Sequence, residues 1–131
     1  MAILAPVAGG LLAVGVAAHT TRHDSSLSLN AFTSGSQNNY FYGAVTSASS
    51  KCVERKVRVF RKEVGADEKY DSERSIVSGS GNGTYTVTAP NKGDLPQGTY
   101  YAQIKKRDLK PGNRHDHICR GAKSSEQSVG P

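Results

Sequence analysis

Two cysteines, Cys52 and Cys119, bracket a run of short segments in which apolar and polar residues alternate. This combination of one possible staple and a period of two constrains the fold more than any motif does, because period 2 is the signature of strands with one buried face. No apolar pattern of period 3.6 runs for about eleven residues or more, so helix is expected to be nearly absent. Gly, Asn, Ser and Pro punctuate the segments, as turn residues do between strands.

The chain opens with an uncharged stretch, Met1 to Ala18, kept apolar by Leu4, Val7, Leu11, Leu12, Val14 and Val16. It resembles a secretion signal ending at the small residues Val16-Ala17-Ala18, although no Lys or Arg precedes the apolar part. Cleavage near Ala17 or Ala18 is expected. Retention as a membrane anchor is the alternative, but a span needs about 20 apolar residues and Pro6, Gly9 and Gly10 make this a poor helix. The chain therefore divides into a leader at 1–18, a polar linker at 19–26 and one domain at 27–131. The roughly 113 residues after the leader suffice for a single core. In an exported chain two cysteines read as a disulfide. A Cys52–Cys119 bridge would close a loop of about 68 residues, worth on the order of 4 kcal/mol in the chain-entropy model.

Strands are expected at Leu27–Thr33, with Leu27, Leu29 and Ala31 sharing a face, and at Tyr40–Thr46, with Phe41, Gly43 and Val45 opposite Tyr40, Tyr42 and Ala44. Val57 and Val59 anchor a third, whose other face carries Lys56, Arg58 and Phe60. Val64–Ser75 reads as a polar connection to Ile76 and Val77, and Ser80-Gly81-Asn82-Gly83 as a hairpin turn leading into Thr84–Thr88. Thr99–Lys105 places Tyr100, Ala102 and Ile104 inward and Tyr101, Gln103 and Lys105 outward. A long loop to about His117 and a short closing strand, from Cys119 or Ala122 to Val129, complete an all-β antiparallel two-sheet sandwich of about seven strands with one disulfide.

The residues Phe41-x-Gly43-x-Val45, Cys52, Val57-x-Val59, Gly81-Asn82-Gly83-x-Tyr85-x-Val87, Gly98-x-Tyr100-x-Ala102-x-Ile104 and Cys119 together resemble the prealbumin-like, or transthyretin-like, sandwich group. That group includes carboxypeptidase regulatory-like domains, collagen-adhesin B-type repeats and small exported bacterial proteins with such a cysteine pair. The resemblance implies an immunoglobulin-like sandwich and assigns no chemistry to these positions.

Catalytic signals are weak. No nucleophile elbow and no phosphate-cradling Gly-rich loop before a helix occurs, and the expectation is a protein without enzymatic activity or cofactor. His115-Asp116-His117-Ile118-Cys119 carries good zinc-ligand types at alternate positions, but Cys119 is expected in the disulfide, no second cluster is evident, and His19 and His23 fall beside the leader. No metal site is expected.

Charge is more informative. The net charge is +6, and 13 of the 17 Lys and Arg residues lie in two windows: Lys51, Arg55, Lys56, Arg58, Arg61 and Lys62, then Lys105, Lys106, Arg107, Lys110, Arg114, Arg120 and Lys123. Brought together on one sheet, they would attract polyanions, with Lys56, Arg58, Lys105, Lys106 and Arg107 as the candidate patch. The acidic segment Glu63, Asp67, Glu68, Asp71 and Glu73 could instead fold back to neutralise them. Tyr40, Tyr42 and Tyr101, if adjacent, could stack on sugar rings. Asn82-Gly83-Thr84 is a glycosylation acceptor pattern as well as a turn. The sequence thus points to a secreted or cell-surface monomer that binds an anionic glycan or cell-wall polymer and has no intracellular nucleic-acid role. The alternatives are a transthyretin-like small-ligand carrier and a small secreted hydrolase or metal-binding protein.

Overall fold

The structure, a computed structural model, describes residues 19–33, 39–89, 94–109 and 115–130. The leader at 1–18 lies outside the described residues, as do Lys110 and Arg114. Within them the chain is all-β, running β1 (His19–His23), β2 (Ser25–Leu27), β3 (Asn30–Phe32), β4 (Tyr40–Ser47), a 3-10 turn (Ser50–Cys52), β5 (Lys56–Arg61), β6 (Glu68–Arg74), β7 (Ile76–Val77), β8 (Gly83–Thr88), β9 (Gly98–Ile104), β10 (Arg107–Leu109), β11 (His115–Cys119), β12 (Ala122–Lys123) and β13 (Gln127–Val129).

Two five-stranded sheets form the sandwich. Sheet I runs β2-β4-β8-β7, with β3 continuing the β2 edge, and sheet II runs β12-β9-β5-β6, with β13 continuing the β12 edge. Every pairing in both is antiparallel. The alternation works as expected: Phe41, Val45, Tyr85 and Val87 of sheet I meet Val57, Val59, Tyr100, Ala102 and Ile104 of sheet II in one core, joined by Leu27, Leu29 and Leu95. A third, smaller sheet, β1-β11-β10, stands beside them and contains the parallel pair β1–β11.

Several segments differ from the sequence-based reading, each for a physical reason. Residues 19–26, expected as a polar linker, form β1 and most of β2, because pairing partners rather than an apolar face hold them. Val64–Ser75, expected as a connection, contains β6; as an edge strand it turns only Tyr70 onto the core, through a bulge opposite Val59 and Phe60, and so lacks apolar alternation. The expected loop before His117 contains β10 and the start of β11. The hairpin expected at Ser80-Gly81-Asn82-Gly83 joins β7 to β8, through a loop over 78–82 with Gly81 at φ +90° and Ser78 N donating to Asn82 O at 2.7 Å. Gly83 already belongs to β8, where a side chain would collide with the Val53 carbonyl.

The break between β2 and β3 has a similar local cause. Ser28 Oγ accepts from Ala44 N at 2.9 Å, while the Ser28 carbonyl accepts the Tyr85 hydroxyl at 2.6 Å across Gly43. Any Cβ at Gly43 would strike that carbonyl.

Cys52 and Cys119 form the expected disulfide, and both are fully buried. It ties the turn after β4 to the end of β11 across 67 residues of sequence. Thiol titration of the unfolded, unreduced protein should find no free thiol, and replacing both cysteines with Ser should lower stability by about 4 kcal/mol. Ile104→Ala, at a site 1 % exposed, should cost about 2–5 kcal/mol in chemical denaturation, and a loss under about 0.5 kcal/mol would mean that Ile104 is not packed as described.

Candidate functional site

The two outer faces of the sandwich differ in chemistry. On sheet I, cross-strand register groups Phe32, Tyr40 and Thr88 in one row, Asn30, Tyr42 and Thr86 in the next, and Thr84 beside Ala44 and Ile76 in a third. None of these carries a charge. Phe32 and Tyr40 stack with centroids 5.0 Å apart, and Tyr42 lies 5.8 Å from Tyr40 at a tilt. Phe32 and Tyr42 are 41 % and 43 % exposed.

On sheet II the outer face is basic. Register sets Arg74 beside Lys56, Ser72 beside Arg58, Lys69 beside Phe60, Arg58 beside Gln103, and Gln103 beside Lys123. At the centre Phe60 stacks on Tyr101, with centroids 5.4 Å apart, and Lys123 Nζ stands 4.3 Å above the Tyr101 ring. A cleft of about 320 Å³ opens beside Lys56, Ser72, Glu73 and Arg74. Among the described residues no carboxylate forms a salt bridge with Lys56, Arg58, Lys69, Arg74 or Lys123.

Charge separation here follows from alternation. Asp71 and Glu73 pair with Val59 and Val57, so they occupy the other face of β6 from Arg74 and its partner Lys56. The acidic segment does fold back onto some of the bases: Arg61 holds Glu63 at 2.7 Å and Glu68 at 3.2 Å, the Glu63 hydrogen bond and charge raising its pKa, and Asp67 lies within electrostatic reach of Lys62 and Lys123. Lys62 pairs with Glu126 and Arg120 with Asp24, so these bases of the two windows are already partnered.

The candidate patch is therefore partly assembled. Lys56 and Arg58 lie together, and the alternation of β9 continues to exposed Lys105 on the same face. Exposed Lys106 follows at the turn towards the third sheet, and Arg107 is drawn off to β10, where Nη1 donates to Glu54 O at 3.1 Å. Arg55 is no part of any exposed patch: it is 2 % exposed and donates from Nη1 to Ser25 Oγ and Cys52 O and from Nη2 to Lys105 O and Arg120 O. Burial, with a smaller contribution from Arg107, lowers its pKa. Lys69, Arg74 and Lys123 were missed as patch members; only the register of β6 and β12 against their neighbours brings them in.

The tyrosine expectation needs correction as well. Tyr40 and Tyr42 are neighbours on sheet I, but Tyr101 is on the opposite side of the sandwich and is only 8 % exposed. It does face outward; Phe60 and Lys123 cover it, and its hydroxyl donates to Asp67 Oδ2 at 2.6 Å. Phe32, which the sequence reading did not single out, takes its place in the exposed aromatic row.

At the end of the sandwich where β4 and β9 begin, a cleft of about 360 Å³ is lined by Asn39, Asp94, Leu95 and Gln97 among others, with Asn39 Nδ2 donating to Asp94 Oδ1 at 2.8 Å. Among the described residues, no group of three or more potential metal ligands gathers, and no helix is long and apolar enough to cross a membrane. No protein-family model matches the sequence, and the curated proteins give no match.

Four phenols carry a pH signature, Tyr100 among them, raised chiefly by burial. The hydrogen bond to Asp67 pushes the Tyr101 pKa up to about 12, burial does the same for Tyr70, and burial raises Tyr85 further. Unfolded, each would ionise near pH 10. A folded-state pKa above the unfolded value means that the native form holds protons the unfolded chain has lost, so stability is intact below about pH 10 and falls as pH rises towards 12. Denaturation at stepped alkaline pH should show that decline, and Tyr101→Phe should make it shallower. The Tyr70 hydroxyl is buried without a hydrogen-bond partner among the described residues, so Tyr70→Phe should leave stability within about 0.5 kcal/mol of wild type or raise it.

Proposed function

We propose that the protein is an exported, non-catalytic interaction domain that binds an extracellular anionic polymer through the outer face of sheet II. The observation that carries this reading is the cross-strand basic row on that face, Lys56 with Arg74 and Arg58 on the line to Lys123, with the acids of β6 turned to the other side. Ammonium and guanidinium groups spaced across adjacent strands, about 5 Å apart, suit the repeating charges of an acidic glycan or a wall phosphate polymer. The stacked Phe60 and Tyr101 add a flat apolar centre on which a sugar ring could rest.

Export is supported by the signal-like leader and by the buried disulfide, which fits an oxidising compartment. The carrier alternative would need an enclosed apolar chamber, and the cleft at Asn39 and Asp94 is polar at its mouth. The uncharged row Phe32, Tyr40 and Tyr42 supports a second reading, a neutral glycan on sheet I.

Binding to heparin and to teichoic acid at two salt concentrations separates the readings. Affinity should fall steeply with salt, because each neutralised charge releases a counterion. Lys56→Glu/Arg58→Glu should weaken binding at least tenfold, with little change in melting temperature, while Arg22→Glu, on exposed β1, should not. Equal binding by wild type and the double reversal at low salt would refute the proposal. Salt-insensitive binding lost in Tyr42→Ala would favour the aromatic face.

A further inference from the structure

All four histidines of the chain, His19, His23, His115 and His117, belong to β1 and β11, the two strands of the parallel pair. The register sets His19 opposite His115, Thr21 opposite His117 and His23 opposite Cys119. Positions two apart in a strand share a face, and so do paired positions, so 19, 21, 23, 115, 117 and 119 occupy one face of this ladder. The linear motif His115–Cys119 looked incomplete as a metal site because no second cluster was evident; the pairing of β1 with β11 brings His23 to His117.

The described side chains show how close the approach is. His23 Nε2 and His117 Nδ1 are 2.9 Å apart, and the two rings lie nearly parallel, at 13°. Both residues are partly exposed, so an ion from solution can reach them. Two metal–nitrogen bonds of about 2.05 Å at a right angle place their nitrogens about 2.9 Å apart, so the spacing already suits one ion; turning each ring by about 45° and releasing the shared proton would aim both lone pairs at it. Cys119 is oxidised, which leaves imidazole nitrogen rather than thiolate on this face. Arg22 pairs with Ile118 and so sits on the other face, which keeps its charge off the imidazoles.

We propose that this face of the β1–β11 ladder binds a divalent late transition-metal ion, Cu²⁺ most tightly, with His23 and His117 as its two imidazole ligands. Nitrogen donors at cis positions suit Cu²⁺, which also leads the affinity order of the divalent first-row ions for such a set. Metal binding would join the end of β1 to β11 independently of the polymer-binding face, so the two proposals stand or fall separately.

The test is calorimetric titration of the disulfide-intact protein with Cu²⁺ in a non-chelating buffer at pH 7.5, with electron paramagnetic resonance of the product. One ion per chain, nitrogen hyperfine structure and a loss of affinity at pH 5 are expected. His23→Gln and His117→Gln should each weaken binding at least tenfold. Unchanged affinity in His23→Gln/His117→Gln, or only weak binding at several sites, would overturn the proposal. Should those variants fail to fold, nitrogen NMR of the wild-type rings with Zn²⁺ decides it: perturbation of the His23 and His117 resonances supports the site, and none refutes it.

Discussion

A single guanidinium joins the three sheets. Arg55 lies just before β5, fully buried, and its Nη atoms reach Ser25 in β2, the carbonyl of Cys52 beside the disulfide, the carbonyl of Lys105 after β9 and that of Arg120 after β11. Its backbone completes the knot, since Arg55 N donates to Ser75 Oγ at 2.7 Å and Arg55 O accepts from Ser75 N at 2.9 Å where β6 passes to β7. A buried charge is costly, and the fork geometry of arginine offsets this by aiming several donors at backbone carbonyls at once. Each hydrogen bond to a charged group contributes about 1.5–3 kcal/mol, which works against the desolvation cost of the buried guanidinium.

The disulfide and Arg55 act at one place. Cys52 is bonded to Cys119 and its carbonyl is held by Arg55, so the end of β11 is attached twice to the same turn. That double attachment positions the third sheet, and with it the histidine ladder, against a sandwich whose own core lies elsewhere, among Phe41, Val59, Tyr100 and Ile104. It also leaves the outer face of sheet II undisturbed, where alternation along β5 and β6 sorts bases from acids. The structural arginine and the surface bases thus come from one basic stretch of sequence and do different work.

The core strands were readable because their signal is local. Phe41, Gly43 and Val45, and Tyr100, Ala102 and Ile104, alternate on strands buried on one face, and their register follows from which residues can enter the core. The edge strands were not readable, since β6 and β1 are held by hydrogen-bonded partners and carry few apolar residues to mark them. Arg55 was equally hidden: among Lys51, Lys56 and Arg58 nothing in the sequence separates a buried guanidinium from exposed neighbours. Tyr101 shows the converse limit, because alternation gave its outward direction correctly and could not reveal that Phe60 and Lys123 would cover it. The candidate patch was legible only in its β5 and β9 members, since Arg74, Lys69 and Lys123 join it through pairings between distant segments.

The role of Arg55 as the joint between sheets is tested most directly by amide hydrogen exchange on Arg55→Met, a change of similar length that removes every side-chain donor. The account predicts that amides of β10 and β11 lose at least tenfold in protection while those of β4 and β8 keep most of theirs. Protection unchanged in β10 and β11, or lost equally throughout the protein, would contradict it.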